Sequence, residues 1–481
     1  AAGAAWAHGD EVSMVQLPAA APESAREAIS TYFDDVPVYG YNRVNRQGER
    51  DQWMVVYPRS YTYEMLSAVC QRLPPPAACD YVGSPLLGGL PIVIATAYEN
   101  ELRSSNMANS YTPGAMYIEV DGKTKMLGSH ASAAVPGSWG LDRIDSSKLD
   151  GMYNVKGGGQ GINVYHMDTG VLPTLNEFDG RVTMEFDATR PKMSDWCPMP
   201  APRLCSRRQG RCKESCAVDR SGHGTHTAGT LGSKTYGVAS GVLIHSMKVL
   251  GDDGTGSWSS FVEGLDYVTT NGKKPAIVTA SLGGPGHIQS VKDVIEAATK
   301  AQVVVVVAAG NENQNACEFS PAFVPQAITV GSTDKQDKRS PFSNYGNCVD
   351  IFAPGSSITS LDLQEGKTAT GSGTSMSAPH VAGAAAILMV DNPSMLSGIS
   401  NHLQTNALTG VITDSLSNHN KLLHIGRAPL GDYVRSMASA IRSANVFNHF
   451  KKRVAQSMSY EPVPVKAAPP AVPVPLYSFI P

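Results

Sequence analysis

The sequence predicts an α/β protein built on a doubly wound, mostly parallel sheet, preceded by a small α+β domain of ferredoxin-like type. Between residues 162 and 332, strongly apolar runs alternate with segments of helical pattern. The runs are almost continuously apolar, which is typical of parallel strands covered by helices on both faces. Asp168 and Asn311 follow two of these runs, and functional residues of such sheets lie at the carboxyl ends of strands.

The small domain is predicted over residues 51–121, where strand and helix patterns alternate over a short length. The predicted strands are residues 52–57, 90–98 and 116–120, and the predicted helices are residues 61–73 and 99–107. On these patterns alone, an ordinary accessory domain remains an open interpretation.

The main domain is predicted over residues 139–427. Its predicted strands are residues 162–167, 243–250, 276–282, 303–309 and 327–332. Its predicted helices are residues 224–231, 261–269, 288–301 and a long helix that begins near Ser375. Two further segments lie outside the two domains. The first is an N-terminal extension over 1–50, to which we assign no function, and the second is a polar linker over 122–138. Gly and Pro punctuate the linker, so we expect it to be exposed and open to proteolysis.

The remaining residues, 428–481, form a C-terminal tail with two parts. Residues 433–458 have a helical pattern with several basic side chains. A helix docked on the main domain is favoured over a helix lying on a membrane surface. From residue 462 the tail is rich in Pro, which predicts an extended segment, and both a linker and a ligand role remain open.

The composition fits a globular protein with large cores and excludes several classes of function. The chain has 481 residues, of which 42% are hydrophobic and 17% are charged, and its formal net charge is −3. So small a charge creates no strong field for nucleic acid or anionic membranes. Apolar runs such as residues 303–309 are far too short to span a bilayer. We therefore expect no nucleic-acid partner and no transmembrane segment.

Eight cysteines lie in local groups along the chain. They are Cys70, Cys79, Cys197, Cys205, Cys212, Cys216, Cys317 and Cys348. An even number in such groups predicts disulfides and an oxidising compartment. The alternative for the four cysteines of 197–216 is a metal site, but their spacings lack the paired C-x-x-C pattern of structural zinc, so we favour disulfides.

Ser375 lies where a run of small residues meets the start of the long apolar helix. Unpaired backbone N–H groups and the positive end of the helix dipole converge at such a position, which suits the stabilisation of an oxyanion. The simpler interpretation is that Ser375 only caps the helix. As a nucleophile, its weakly reactive hydroxyl would need a base, and the base would need an orienting acid.

Three upstream residues have the chemistry that Ser375 would need. His223 stands between two glycines at a predicted helix start. The alternative is a structural role, because a lone histidine is usually a surface residue or a core residue with satisfied hydrogen bonds. Asp168 ends a strand, where aspartate is more often a turn former, but it could orient the imidazole through its Nδ1–H. Asn311 could donate a side-chain N–H to a developing oxyanion.

These motifs together resemble the subtilisin family of serine proteases, and most closely its proteinase K-like branch. The chain order Asp, His, Ser is the order of that family. The resemblance covers about residues 139–427. The matching segments are 164–170 (VYHMDTG), 222–226 (GHGTH), 309–311 (AGN), 342–346 (FSNYG), 350–355 (DIFAPG) and 373–380 (GTSMSAPH).

The resemblance implies a catalytic triad of Asp168, His223 and Ser375, with Asn311 in the oxyanion hole. It also implies that two segments sandwich an extended substrate as an added strand. These segments are Gly254, Thr255 and Gly256, and Ser281, Leu282 and Gly283. Residues 281–287 contain no Asp or Glu, so we expect broad cleavage after apolar or aromatic residues, with a secondary basic preference left open by Asp252 and Asp253.

Structural elements of the family are implied as well. Asp350, with the carbonyls of Pro325 and Ala327, matches a calcium site, and oxygen ligands suit this hard cation; a plain surface Asp350 is the alternative. Cys317 and Cys348 match a disulfide of bacterial secreted members. The four-cysteine insertion, which lies between Asp168 and His223, departs from the family pattern.

The small domain resembles the inhibitory prodomain of the family. The resemblance implies that it assists folding, blocks the cleft with its C-terminal tail as an intramolecular inhibitor, and is released by cleavage within about residues 125–131. A Cys70–Cys79 pair is unusual there and argues against easy removal.

The sequence thus predicts a serine endopeptidase made as a self-processing zymogen. We expect it to be a monomer that acts on proteins or peptides and is secreted, or alternatively vacuolar. The competing hypothesis is a non-catalytic binding protein whose prodomain stays in the cleft. The presence of all four catalytic residue types argues against lost chemistry.

Overall fold

A computed structural model describes residues 29–33, 35–44, 49–104, 114–132, 138–155, 158–189, 217–391 and 398–426. These residues belong to one compact unit, residues 1–426. The predictions made for the four cysteines of 197–216 and for the tail 428–481 lie outside the described residues.

The first sheet has six strands and two helices. The strands are β1 (Thr31–Phe33), β2 (Val36–Tyr39), β3 (Asp51–Val56), β4 (Ala78–Val82), β5 (Ile92–Ala97) and β6 (Tyr117–Val120), and the helices are α1 (Tyr63–Cys70) and α2 (Glu99–Ser104). The strand order is β1-β2-β6-β3-β5-β4. Neighbouring strands are antiparallel except for the β2–β6 pair. Because β1 and β2 precede residue 51, the sheet begins earlier in the chain than the predicted small domain.

Both faces of this sheet are buried, which explains why β5 and the second half of β3 are largely apolar on both faces. Successive residues of a strand point to opposite faces. Trp53 and Val55 on β3 belong to the core under α1. Met54 and Val56, on the opposite face, pack in a cluster with residues of two helices of the main domain. The small domain therefore packs on the main domain through the face of its sheet that carries Met54 and Val56, opposite α1.

The main sheet has nine strands. They are β9 (Asn163–Asp168), β10 (Val182–Asp187), β11 (Leu243–Lys248), β13 (Ala276–Ala280), β15 (Val303–Ala308), β17 (Ile328–Thr333), β18 (Ile351–Pro354), β21 (Leu408–Thr409) and β22 (Lys421–Leu422). Their order is β10-β11-β9-β13-β15-β17-β18-β22-β21, and all neighbours are parallel except β21 and β22. The chain extends the sheet to one side of β9 and then to the other, so β9 lies at the point where strand order reverses.

Helices cover both faces of this sheet, which confirms the α/β fold class predicted for the main domain. The helices of the main domain are α3 (Trp139–Asp145), α4 (His223–Gly232), α5 (Trp258–Asn271), α6 (Gln289–Lys300), α7 (Thr374–Asp391) and α8 (Ile399–Asn406). Residues of α4 and α7 pack in one core cluster, and residues of α5 and α6 pack in the other. Among the described residues, no helix is both long and apolar enough to cross a bilayer.

Within the segment predicted as an exposed linker, the described residues 122–132 contain two strands instead of an open loop. Strand β7 (Lys123–Met126) lies in a sheet of order β12-β7-β14-β16 with β12 (Thr255–Ser257), β14 (Leu282–Pro285) and β16 (Phe319–Ser320). Strand β8 (Ser129–Ser132) pairs with β20 (Thr368–Ser372), which also pairs with β19 (Ile358–Leu361). Thr124 and Leu127 are each only 3% exposed. The division of the chain at this segment stays a prediction.

Candidate active site

Asp168 and His223 meet at the carboxyl end of β9. The imidazole Nδ1 of His223 lies 2.7 Å from Asp168 Oδ1, and both side chains are fully buried. His223 is the first residue of α4, and Gly222 before it has a φ of 94°, which favours glycine. The strand end and this turn together place the two groups in contact across 55 residues of chain.

The two groups stabilise each other's charged form. Burial opposes ionisation of Asp168, but the imidazole of His223 and hydrogen bonds keep the pKa of Asp168 below its ordinary value. Burial likewise opposes protonation of His223, but the carboxylate of Asp168 raises the pKa of His223 above its ordinary value. A base whose protonated form is supported in this way suits general-base catalysis.

Thr227, one helical turn after His223, contacts the other oxygen of Asp168. Its hydroxyl lies 3.2 Å from Asp168 Oδ2 and 2.9 Å from Nε2 of the buried His166. Neither residue is among those that the sequence predicts for the site. The i, i+4 spacing of Thr227 from His223, which places both on one helix face, is the signal that could have found it.

Ser375 and Asn311 lie on either side of one backbone carbonyl, that of Leu127. The N–H of Ser375 donates to this oxygen at 3.1 Å, and Asn311 Nδ2 donates to it at 2.5 Å. Asn311 is oriented by Thr374, whose N–H and hydroxyl both donate to Asn311 Oδ1 at 2.9 Å. The Ser375 hydroxyl itself donates to the carbonyl of Ser281 at 3.0 Å. Two donors directed at one carbonyl oxygen form the geometry of an oxyanion hole.

The two segments predicted to flank a substrate lie on either side of β7. Met126 N–H donates to the Gly254 carbonyl at 2.9 Å, and Leu127 N–H donates to the Ser281 carbonyl at 3.1 Å. In register, Lys125 lies opposite Thr255 on one side and Gly283 on the other. The chain itself thus occupies the cleft as an added antiparallel strand.

The side chain of Leu127 is buried against Gly283. A Cβ atom at Gly283 would lie 2.9 Å from Leu127 Cδ1, so a larger residue at 283 would fill the space that Leu127 uses. On the downstream side, a Cβ atom at Gly128 would lie 3.2 Å from Ser375 Cβ. The Leu127–Gly128 bond therefore passes directly across Ser375.

The predicted metal and cysteine residues are placed as follows. Asp350 Oδ2 accepts a hydrogen bond from Thr329 N–H at 2.8 Å, and burial raises the pKa of Asp350 to about 6. The described residues contain no cluster of three or more His, Cys, Asp or Glu side chains that could hold a metal. Disulfides join Cys70 to Cys79 and Cys317 to Cys348.

A parallel α/β sheet that carries a buried Asp–His pair, and two hydrogen-bond donors directed at one carbonyl oxygen beside a helix-start serine, is an arrangement typical of serine hydrolases. The chain belongs to the subtilase family, Peptidase S8, whose sequence pattern matches residues 159–425. The resemblance inferred from the motifs is thereby confirmed.

Named relatives agree with this assignment. Proteinase R of Parengyodontium album is 34% identical over 406 residues, which cover 83% of this chain and 94% of that protein. An extracellular serine proteinase of Thermus sp. (strain Rt41A) is 45% identical over 281 residues, 58% of this chain and 62% of the relative. The match to alkaline serine exoprotease A of Vibrio alginolyticus, at 40% identity, covers 60% of this chain but only 50% of that protein.

A solved structure supports the fold. The crystal structure of a cold adapted subtilisin-like serine proteinase matches with a TM-score of 0.53 and 38% identity. The match covers 60% of this chain and 98% of that one. A TM-score of 0.53 together with 38% identity supports a shared fold for the main domain.

Proposed function

We propose that this chain is a serine endopeptidase made as a self-processing zymogen, with Asp168, His223 and Ser375 as its catalytic triad. The observation that carries the proposal is the position of the Leu127 carbonyl, which accepts hydrogen bonds from both Ser375 N–H and Asn311 Nδ2. This carbonyl belongs to the residue that directly follows β7, a strand paired on both sides as a bound peptide substrate would be.

The chemistry follows from these contacts. For attack, the Ser375 hydroxyl turns from the Ser281 carbonyl to His223, which takes its proton, and the oxygen bonds to the carbonyl carbon of Leu127. Ser375 N–H and Asn311 hold the negative charge that develops on the carbonyl oxygen. The bond to Gly128 then breaks as His223 returns the proton to the leaving nitrogen. Water hydrolyses the resulting ester between Ser375 and Leu127 in the reverse sequence of proton transfers.

The processing site in this proposal is the Leu127–Gly128 bond, which falls within the predicted range of residues 125–131. The buried side chain of Leu127, packed on Gly283, supports a preference for cleavage after apolar residues. Because residues 281–287 contribute no carboxylate, nothing in that segment would favour a basic side chain at this position.

The small domain is proposed to act as the inhibitor, and its contacts with the starts of two helices support this role. Glu119 accepts hydrogen bonds from the N–H groups of Gln289 and Ser290 at the start of α6. Asp121 accepts from Ser259 N–H at the start of α5. Carboxylates at helix N-termini are stabilised by the free N–H groups and by the dipole. These two contacts would align the following residues, β7 and Leu127, with the cleft.

A structural calcium ion at Asp350 is also proposed. The residues present fit such an ion in their chemistry, because a buried carboxylate and the carbonyls of Pro325 and Ala327 would supply only oxygen donors. The raised pKa of Asp350 reflects the cost of burying its charge, and a cation beside it would reduce that cost. Subtilases commonly bind structural calcium.

We further propose that the protein is secreted, or resident in a vacuole or another lumen of the secretory pathway, and acts as a monomer. The two disulfides indicate an oxidising compartment. One of its relatives is named an extracellular proteinase.

The test of the proposed function is a comparison of the wild-type chain with Ser375→Ala, each purified alone. The wild type should cut itself near residue 128 and hydrolyse peptides, whereas the variant should remain a full-length precursor without activity. Normal maturation of the isolated variant would contradict the triad assignment. A processed wild type that stays in a stable complex without turnover would instead favour the binding-protein hypothesis.

A further inference from the structure

We propose that Glu312 is a specificity-determining residue, which favours substrates with Lys or Arg two residues before the residue whose carbonyl is attacked. The inference deepens the proposed function and depends on it, because strand β7 is taken to lie where a substrate lies. No prediction from the sequence involved Glu312.

The contact that leads to this inference is an ion pair across the cleft. Lys125 Nζ lies 3.5 Å from Glu312 Oε1. Lys125 is two residues before Leu127, and ladder pairing to Thr255 and Gly283 fixes its backbone on both sides. Any peptide bound in the same register would place its corresponding side chain beside Glu312.

The carboxylate of Glu312 is also held by groups of the main domain, independently of Lys125. Its Oε2 accepts hydrogen bonds from Asn311 N–H at 2.8 Å and from Asn344 Nδ2 at 3.0 Å. Its own N–H donates to Asn344 Oδ1 at 3.0 Å. These bonds occupy one carboxylate oxygen and direct the other towards β7. Because this carboxylate is already positioned, it loses little conformational freedom when a substrate binds. More of its electrostatic attraction to a basic side chain therefore contributes to the binding free energy.

The expected preference is modest because the pair is partly exposed. The side chain of Lys125 is 60% exposed and that of Glu312 is 22% exposed. Exposed ion pairs give about two- to fivefold effects and are screened by salt. We expect a peptide with Lys at this position to have about two- to fivefold higher kcat/KM than one with Gln. A peptide with Glu should be cleaved more slowly than either.

The experiment uses the full chain after processing and three peptides that differ only in Lys, Gln or Glu at this position, with Met-Leu-Gly following it. The ratios of kcat/KM among the peptides are measured for the wild type, for Glu312→Gln and for Glu312→Lys. Because Glu312 also contacts Asn311, its substitution can lower the rate for every peptide, but a uniform loss cancels in the ratio. The Lys preference should vanish in Glu312→Gln and reverse towards Glu in Glu312→Lys.

The matched control is Asp179→Asn, which also removes one surface carboxylate. Asp179 lies 3.2 Å from Lys234, outside the cleft, and its φ of 53° is one that Asn adopts readily. This variant should keep the wild-type ratios. If the wild type cleaves all three peptides at equal kcat/KM at low salt, the inference is wrong while the proposed function stands. If the preference survives in Glu312→Gln, the inference is also wrong. If the wild type is no more active than Ser375→Ala on all three, the proposed function fails and the inference fails with it.

Discussion

The carbonyl oxygen of Leu127 lies 3.1 Å from the backbone nitrogen of Ser375, at the start of helix α7. The same oxygen accepts a hydrogen bond from Asn311, so a bond of the chain itself lies where a substrate bond would be hydrolysed. This relationship joins the small domain, the cleft and the proposed chemistry in one account.

Replacing Asn311 by Ala should lower kcat much more than it changes KM. The amide of Asn311 is directed at the oxygen that becomes negative in the transition state, and Ala leaves only the Ser375 N–H in that role. Removal of one oxyanion-hole donor from a subtilisin lowers kcat about 100- to 1000-fold, and we expect the same range here. Steady-state kinetics on a peptide substrate measures both constants. A change confined to KM would show that Asn311 only binds the ground state.

Replacing Thr227 by Val should lower kcat about tenfold, because Asp168 loses a hydrogen bond to its Oδ2 atom. Nδ1 of His166 has no partner among the described residues, which fits a neutral ring that donates from Nε2 to the Thr227 oxygen. The Thr227 proton is then left for Asp168 or for the carbonyls of the preceding helical turn.

Thr227→Ser is the matched control, since it keeps the hydroxyl. It should retain most of the activity, and Thr227→Val should also move the acidic limb of the pH–kcat profile, which a packing defect alone would not do. Equal losses in the two variants, with an unchanged profile, would show that the methyl group matters and the hydroxyl does not.

After processing, the small domain should dissociate more readily as pH rises. Asp266 on α5 accepts hydrogen bonds at 2.5 Å from the Tyr81 hydroxyl and from Leu90 N–H of the small domain, and burial raises its pKa to about 6. Once separated, Asp266 returns to an ordinary pKa of about 4, so the complex holds more protons than its parts. The complex is therefore tightest below about pH 4 and weakens as pH rises through about 6.

Burial also raises the pKa of Asp121, Glu263 and Asp293, so these groups act in the same direction. The measurement uses the complex of the small domain with the processed enzyme, whose Ser375 is blocked by an inhibitor after processing. Gel filtration between pH 4 and 8 follows the dissociation of this complex. Asp266→Asn should flatten the dependence without abolishing it. Tighter association at pH 8 than at pH 4 would contradict the prediction.

Removal of calcium should lower the thermal stability of the processed enzyme without changing the geometry of the triad. Asp350 directly precedes β18, and without a cation its buried charge is held mainly by Thr329 N–H. Melting temperature with excess EGTA and with excess Ca²⁺ measures the effect, and mass action predicts a rise with Ca²⁺ concentration. In Asp350→Asn the response to Ca²⁺ should be lost. A wild type whose melting temperature ignores Ca²⁺ would exclude the proposed site.

The four candidate catalytic residues could be found from the sequence because local patterns mark them. Asp168 follows an apolar strand, His223 stands between glycines, and Ser375 begins an apolar helix. Strand ends and helix starts are short-range features, so they are visible before the fold is known. The positions of the main strands follow from the same patterns.

The contacts that make the site specific could not be predicted, because they join segments far apart in the chain. The Lys125–Glu312 pair and the Leu127–Asn311 hydrogen bond depend on where β7 inserts between β12 and β14. A short polar segment carries little periodicity, so its sequence predicts an exposed linker rather than a strand. Pairing between distant strands is set by the assembled cleft and not by the segment itself.

The most direct test of the account is the new amino terminus of the processed enzyme. The wild-type chain, expressed alone and analysed by N-terminal sequencing and intact mass, should begin at Gly128, and the released fragment should end at Leu127. Ser375→Ala should yield neither species. A terminus at another bond of the wild type, or a Gly128 terminus in the purified variant, would contradict the claim that Ser375 cuts the bond held in its own cleft.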